Sequence, residues 1–247
     1  MIRWFMFGML FLVPELALAQ QPSLPEILEF PPNLSVSTWI IRTFGLFTVL
    51  SVVPIILIMV TCFPRFIIVF SILRTGMGFA SIPPNLVIIG LALFMTFYVM
   101  SPTLDQAMET GIQPLMDNQI TEIEAIKRIA KPFWVFMKKN TREKDLHLFV
   151  DMAGSDHKNT VVTKEDEIEY KILIPAFMIS EIRRSFEIGF LVILPFMIID
   201  MIAATIVMAM GMMMLPPTSI SLPFKIIFFV LIDGWSLLVE NLVRSFI

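Results

Sequence analysis

Cysteine is nearly absent from this sequence: Cys62 is the only one in 247 residues. No intrachain disulfide and no cysteine metal cluster can form. Histidine is almost as scarce, with only His147 and His157. Charge is thin at 16% of residues, and 18 Lys+Arg against 21 Asp+Glu leave a net −3. That balance excludes a basic nucleic-acid footprint. The sequence holds no H-E-x-x-H, no G-x-S-x-G and no Walker loop. No carboxylate pair stands beside an evident substrate pocket. The residues give no basis for an enzyme, and no cofactor or metal is expected.

What is abundant is apolar. Hydrophobic residues make up 57% of the chain, and the mean hydropathy is +0.82. Soluble domains run nearer about 45–50% apolar, so the composition is that of a membrane protein. The first residues, MIRWFMFGMLFLVPELALAQ, have the parts of a secretory signal. Arg3 is a short positive start, Trp4 to Val13 an apolar core too short to span, and Ala17-Leu18-Ala19 an A-x-A site. Cleavage is expected between Ala19 and Gln20. The alternative is an uncleaved anchor, which Pro14 and Glu15 oppose.

Four apolar stretches follow a proline-bearing lead, at roughly 43–63, 66–101 (interrupted), 186–212 and 220–243. Each reaches the length of a span, about 20 residues. The expected fold class is all-α: integral membrane-type helical hairpins with an amphipathic helical extracytoplasmic segment. The expected division is a signal peptide over 1–19, an extracytoplasmic lead over 20–42 and a first apolar hairpin over 43–101. A periplasmic helical segment over 102–185 and a second apolar hairpin over 186–247 complete it. An exported N-terminus places 102–185 outside. The short connections 64–85, with Arg65 and Arg74, and 211–219 then face the cytoplasm. Segment 102–185 is too long for the positive-inside rule to decide its side.

Within that segment Ile120, Ile123, Ile126, Ile129, Phe133 and Met137 recur at helical spacing. Leu146, Phe149, Val150 and Ala153 suggest a second, shorter helix, and Gly154 to Asp166 read as a polar linker. Such amphipathic helices need a partner surface. The two hairpins also echo each other. RTGMGFASIPPNLVIIGLALF and MAMGMMMLPPTSISLPFKIIF each run from an apolar stretch through Gly and Met to a proline pair, Pro83-Pro84 or Pro216-Pro217. Interrupted apolar segments in corresponding halves mark functional sites in transport proteins.

Asp200, Lys225 and Asp233 are charges inside apolar runs, where charge is costly and usually faces protein or water. Counting ideal rise from the tip near Leu215, Asp200 and Asp233 lie about 20 Å away and Lys225 about 12 Å. Within one hairpin Lys225 should then miss Asp200 by about 8–10 Å. The expectation is that these charges pair between neighbouring protomers or helices, or line a wet passage. The plainer alternative has Lys225 reaching back to an interface and the acids bonding between helices.

Met208 to Pro217 reads MAMGMMMLPP. Met is flexible and commonly fills gaps in cores. Met212, Met213 and Met214 are contiguous, however, and cannot share one helix face. They lie between Gly211 and Pro216-Pro217, which break helices. Copies of the chain that bring such tips together would form a deformable apolar plug, and apolar constrictions block ions by dewetting.

These residues resemble a known family. FPRFIIVFSILRTGMGFASIPPNLVIIGLALFMTFYVMSP, TREKDLHLF and LIPAFMISEIRRSFEIGFLVILPFMIIDMIAATIVMAMGMMMLPPTSISLPFKIIFFVLIDGWSLLVENL are similar to the FliP family of type III export proteins and its injectisome relatives. The most specific stretches are GMMMLPP, LPFK and DGW. The leader and the large external segment favour the flagellar branch. The family's usual Gln-rich first tip is replaced here by RTGMGFASIPPNLV. The resemblance implies a channel-forming subunit of an export gate in the inner membrane, at the flagellar basal body. It implies a homo-oligomer of about five copies wound into a helical channel with FliQ and FliR, with FlhA and FlhB nearby and much of it held above the expected bilayer plane, so that the four apolar stretches would be hairpins buried against other subunits rather than helices bathed in lipid. Unfolded flagellar proteins would be the cargo. It implies further that Met210, Met212, Met213 and Met214 close the channel, with Gly211, Pro216, Pro217, Pro83 and Pro84 forming the tips. Asp200, Lys225 and Asp233 would then serve assembly or gating. Two other readings remain open from the residues alone: an ion or proton channel with Asp200 and Asp233 as relay acids, and a scaffold working through 102–185.

Overall fold

The structure is a computed structural model that describes residues 36–79, 82–153, 168–211 and 216–246. The expected signal peptide, its Ala19–Gln20 junction, most of the lead, His157 and the Gly154–Asp166 linker lie outside the described residues. Every described regular element is helical, and no strand occurs among the described residues. The all-α expectation holds.

Helix α1 spans Val36–Met59. The chain divides into two compact units after Pro54, so most of α1 belongs to the first. The second runs from Ile55 and holds all the other described helices. Helix α2, Phe63–Gly76, starts with Pro64 in its first turn, where the fixed φ suits a helix start. It ends in a Schellman motif. Gly78 takes the left-handed conformation at φ 84°, the Gly78 amide donates to the Thr75 carbonyl at 3.0 Å, and the Phe79 amide donates to the Arg74 carbonyl at 3.3 Å. Helix α3, Asn85–Ala107, follows the Ile82–Pro83 cis peptide with Pro84 as its N-cap. It runs on through a π turn, Met108–Ile112, into α4, Gln113–Met116. A Cβ on Gly111 would overlap Ile129, so this glycine permits the close crossing of the next helix.

That helix, α5, spans Glu122–Asn140 and opens with a capping residue, since Thr121 Oγ1 accepts from the Glu124 amide. Its acidic first turn and basic last turn suit the helix dipole. Its inward stripe is Ala125, Phe133 and Met137, with Ile129 packed against the core. Ile123 and Ile126, expected on the same face, are 70% and 67% exposed. A period of 3.6 tolerates several stripes in an isoleucine-rich helix, and the close crossing at Gly111 selects the one through Ala125 and Ile129. Helix α6, Glu143–Ala153, is the expected short helix, with Val150 buried.

Helix α7, Tyr170–Ala209, is 40 residues long, about 60 Å at helical rise. The expected stretch began at 186. Charges between 170 and 187 depress hydropathy there, but they are paired sideways. Glu181 bonds Arg65, Arg183 bonds Asp145 and Glu187 bonds Arg142, so the helix continues through them. Helix α3 likewise crosses residue 101 without a break. The stretch expected as one span over 220–243 is two helices, α8, Pro217–Leu231, and α9, Gly234–Arg244, bent by 62°. Among the described residues, Asn85–Met116 and Tyr170–Ala209 are long and apolar enough to cross a membrane, with a third span if the bent pair counts as one.

The core forms where α2 lies against α3 and α7, around Phe66, Phe70, Leu73, Leu173 and Phe177. Two small residues set the α2–α7 distance. A Cβ on Gly76 would overlap Ile193, and one on Gly189 would sit 2.6 Å from Ile72.

Candidate functional site

The hairpin of α7 and α8 is closed by one polar node. Lys225 Nζ donates to Asp200 Oδ2 at 2.6 Å and to the Gly76 carbonyl at 3.1 Å. Ser221 Oγ donates to the other carboxylate oxygen, Oδ1, at 2.5 Å. The lysine side chain is 4% exposed and the aspartate 36%. The expected miss between Lys225 and Asp200 is therefore wrong, and of the alternatives left open for these two charges the pairing found is the one between neighbouring helices, α7 and α8. Helix α7 ends at Ala209 and α8 begins at Pro217, and the residues between add no helical rise. From those ends Asp200 is nine residues back and Lys225 eight on, about 14 and 12 Å, so the two stand level.

The Gly76 carbonyl lies in the last turn of α2, where carbonyls lack intrahelical partners and the dipole is negative. Lys225 satisfies both needs. It thereby fixes the end of the first hairpin's leading helix to the second hairpin. Arg74, in that same last turn, reaches across the first tip. Its Nη1 donates to the Pro83 carbonyl at 3.5 Å and to Asn85 Oδ1. A single helix end thus anchors both the Pro83-Pro84 tip and the base of the second hairpin.

Of the second tip, Met210 and Gly211 close α7. The Met210 amide donates to the Ile206 carbonyl at 3.1 Å, and Gly211 takes φ 72°. Pro216 caps α8 and Pro217 opens it. Met212, Met213 and Met214 lie outside the described residues. Asp233 does not join the other charges. It sits exposed in the left-handed conformation at φ 51°, at the break between α8 and α9. Gly234 beside it packs under the Phe229 ring with no room for a Cβ. Trp235 meets Phe229 edge-on at 5.4 Å, so the DGW stretch makes the bend.

A second node was missed by sequence reasoning. Arg65 and Glu181 are both fully buried and paired through Nε to Oε2 at 2.8 Å and Nη2 to Oε1. Arg65 Nη1 also donates to Ser245 Oγ at 2.7 Å, and its guanidinium carbon lies 3.6 Å over the Phe246 ring. Arg65 is thus a buried residue of α2 and not an exposed charge of a connection. The available signal was Arg65 standing alone among apolar residues in FPRF, a charge that needs an opposite partner once buried. Asp145 is a further buried charge, held by Ser180 Oγ at 2.8 Å and Arg183 at 3.5 Å. His147 is exposed on α6. Among the described residues no group of three His, Cys, Asp or Glu is placed to hold a metal.

Apolar side chains face outward along both hairpins, among them Phe190, Ile198, Met201, Ile202, Leu86 and Phe94. Such faces need lipid or other protein around them. Hairpins of this kind, braced internally by buried ion pairs, define an α-helical membrane protein. The profile of the FliP family matches residues 46–242, and the chain belongs to that family. The chain is 63% identical over 243 residues to "Flagellar biosynthetic protein FliP" of Agrobacterium fabrum, covering 96% of this chain and 98% of that one. The protein of the same name from Rhizobium meliloti is 63% identical over 222 residues, 90% of each chain. That from Bacillus subtilis is 49% identical over 216 residues, 87% of this chain and 95% of its own. Flagellar biosynthesis and export is the setting in which the hairpins work.

Proposed function

We infer that this chain is a channel-forming subunit of the flagellar type III export gate, through which unfolded flagellar proteins cross the inner membrane. About five copies wind together through heterologous contacts, with FliQ and FliR as partners and FlhA and FlhB adjacent. Residues 102–185 lie on the periplasmic side. The tips carrying Met210, Met212, Met213 and Met214 meet and close the conduit as a soft apolar plug. Ions are held back because an apolar constriction dewets, and a passing chain displaces flexible thioethers that re-pack behind it.

One observation carries this reading over the ion-channel alternative: the Lys225–Asp200 pair closes within a single hairpin. A carboxylate held by an ammonium and a serine hydroxyl is a brace and is poorly placed to relay protons. Asp233, the other acid such a relay would need, stands at the α8–α9 bend. The flagellar assignment over the injectisome one is supported by the names of the relatives.

The test replaces Met212, Met213 and Met214 together with alanine in cells, and records small-ion leakage beside export of flagellar subunits. Leakage with export retained is expected. A complex that assembles normally and stays ion-tight would overturn the plug.

A further inference from the structure

Charge is segregated along the segment between the two hairpins. Residues 101–124 hold Asp105, Glu109, Asp117, Glu122 and Glu124 and no Lys or Arg. Residues 125–142 hold Lys127, Arg128, Lys131, Lys138, Lys139 and Arg142 and no Asp or Glu. The helix dipole accounts for acids in the first turn of α5 and lysines in its last. It does not account for Lys127, Arg128 and Lys131, which stand in the first half of the helix. Arg128 engages Glu124 through Nε alone, which leaves its Nη groups for a second carboxylate. Asp117, Glu122, Lys127, Lys131 and Lys139 are exposed and form no ion pair among the described residues.

Each of these charged surfaces has an apolar centre. The turn from α4 into α5 makes a tip. Met116, the last residue of α4, is 76% exposed, Asp117 follows it, and Ile123 and Ile126 stand exposed on the first turns of α5. On the outer side of α5, Val135 is 51% exposed. It borders a cleft of about 280 Å³ between the π turn and α5, lined by Gln106, Thr110, Arg128, Lys131, Pro132 and Val135. Water solvates the carboxylates and the cations, but it gains nothing from Met116 or Val135. An apolar centre inside a polar rim is the make-up of a protein contact, and the opposite signs of the two rims make each surface the complement of the other. The tip does not reach the cleft of its own chain. Helical runs from Thr110 to Met116 and from Glu122 to Arg128 hold it six residues, about 9 Å, beyond.

We propose that the α4–α5 tip of one copy docks on the basic cleft of a second copy of this chain. Met116 enters the cleft against Pro132 and Val135, and Asp117 and Glu122 pair with Lys131 and Arg128 at its rim. Rim charges of this kind set register and partner choice more than affinity. The tip and the cleft are different parts of the molecule, so the contact is heterologous and runs the same way from copy to copy. The inference rests on the reading that several copies wind together, and it is independent of whether the methionine tips seal the conduit.

The test uses the whole chain assembled in cells and solubilised in mild detergent. Met116→Cys combined with Val135→Cys keeps every charge of the contact. After mild oxidation the double variant should give a ladder of covalent multimers on non-reducing gels, and neither single variant should. The native Cys62 is buried and stays out of the reaction. Asp117→Lys should lower the yield of complex on native gels several-fold, as should Lys131→Glu, and the two together should recover most of it. Glu143→Lys, at an exposed acid of α6 outside both surfaces, should leave the yield unchanged. A wild type that stays monomeric overturns the reading of wound copies and this contact with it. A wild-type multimer whose double-cysteine variant does not cross-link overturns this contact alone. So does a charge exchange that recovers nothing. Capture of a different protein, rather than of a second copy, by a photo-reactive residue at Ile123 would give the tip another partner and likewise overturn the proposal.

Discussion

Arg65 and Glu181 lie 116 positions apart in the chain and meet as a fully buried, two-pronged pair beneath the ring of Phe246. The pair joins α2 to α7 at the centre of the core, and Ser245 ties the last turn of the chain to the same guanidinium. Nothing apolar can replace one partner alone, because the other would remain as an uncompensated buried charge.

Glu181→Gln should therefore destabilise the protein by about 3–5 kcal/mol. Arg65→Lys should also be costly, since lysine cannot reproduce the two-pronged geometry. Thermal unfolding of the detergent-solubilised complex measures both. The double replacement Arg65→Met with Glu181→Leu should cost less than either single change to a neutral residue. If the double variant is the worst of the set, the pair itself is the stabilising element.

The Lys225–Asp200 node predicts strong coupling. Lys225→Met leaves a carboxylate facing Ser221 alone, and Asp200→Asn leaves a nearly buried ammonium with the Gly76 carbonyl. A double-mutant cycle should give a coupling of about 0.5–3 kcal/mol, read as the difference in unfolding midpoint and in complex yield on native gels. Strictly additive effects would mean that the two side chains do not act together.

Gly76 and Gly189 predict a steric phenotype. Gly76→Ala drives a methyl into Ile193, and overpacking typically costs about 1–3 kcal/mol. Ile193→Ala, which removes the Cγ2 that a Cβ on Gly76 would meet at 2.4 Å, should recover part of the loss in the Gly76→Ala background relative to the sum of the two single effects. Absence of any rescue would place the cause in the backbone of α2.

Burial pushes the Cys62 thiol up to about 12. The native thiol should resist alkylation at pH 8 and react at full rate only after unfolding. The sign of the pH effect follows. An unfolded thiol ionises near 9 while the native one stays protonated, so the stabilisation is complete below pH 9 and declines between 9 and 12. Labelling with a maleimide, with and without denaturant, checks the first point, and unfolding midpoints across that pH range check the second.

Much of the architecture was legible in the residues. Hydropathy marked the apolar helices, the proline pairs stand where α3 and α8 begin, and the isoleucine spacing marked α5. What escaped was lateral. Averaging over a window treats Glu181, Arg183 and Glu187 as signs of a polar segment, whereas each is cancelled by a residue far away in sequence. The Asp200–Lys225 contact escaped because every residue of the tip was counted as helix. The stripe on α5 escaped because an isoleucine-rich helix offers several stripes, and only Gly111 opposite chooses between them. The bend at Asp233 escaped because 220–243 reads as one apolar stretch, and nothing in a single sequence says that the aspartate of DGW is left-handed.

Helix α7 carries Glu181 and Asp200 on one uninterrupted run, each engaged by a partner on a different element. They stand nineteen positions apart, with Pro195 inside the helix between them, and at a fixed helix geometry their angular relationship is set by that number. Adding or removing one residue anywhere between would turn everything beyond it by about 100° and shift it by 1.5 Å. One ion pair could then form only at the expense of the other. The stretch from Glu181 to Asp200 tolerates many changes of side chain, but it should admit no change of length.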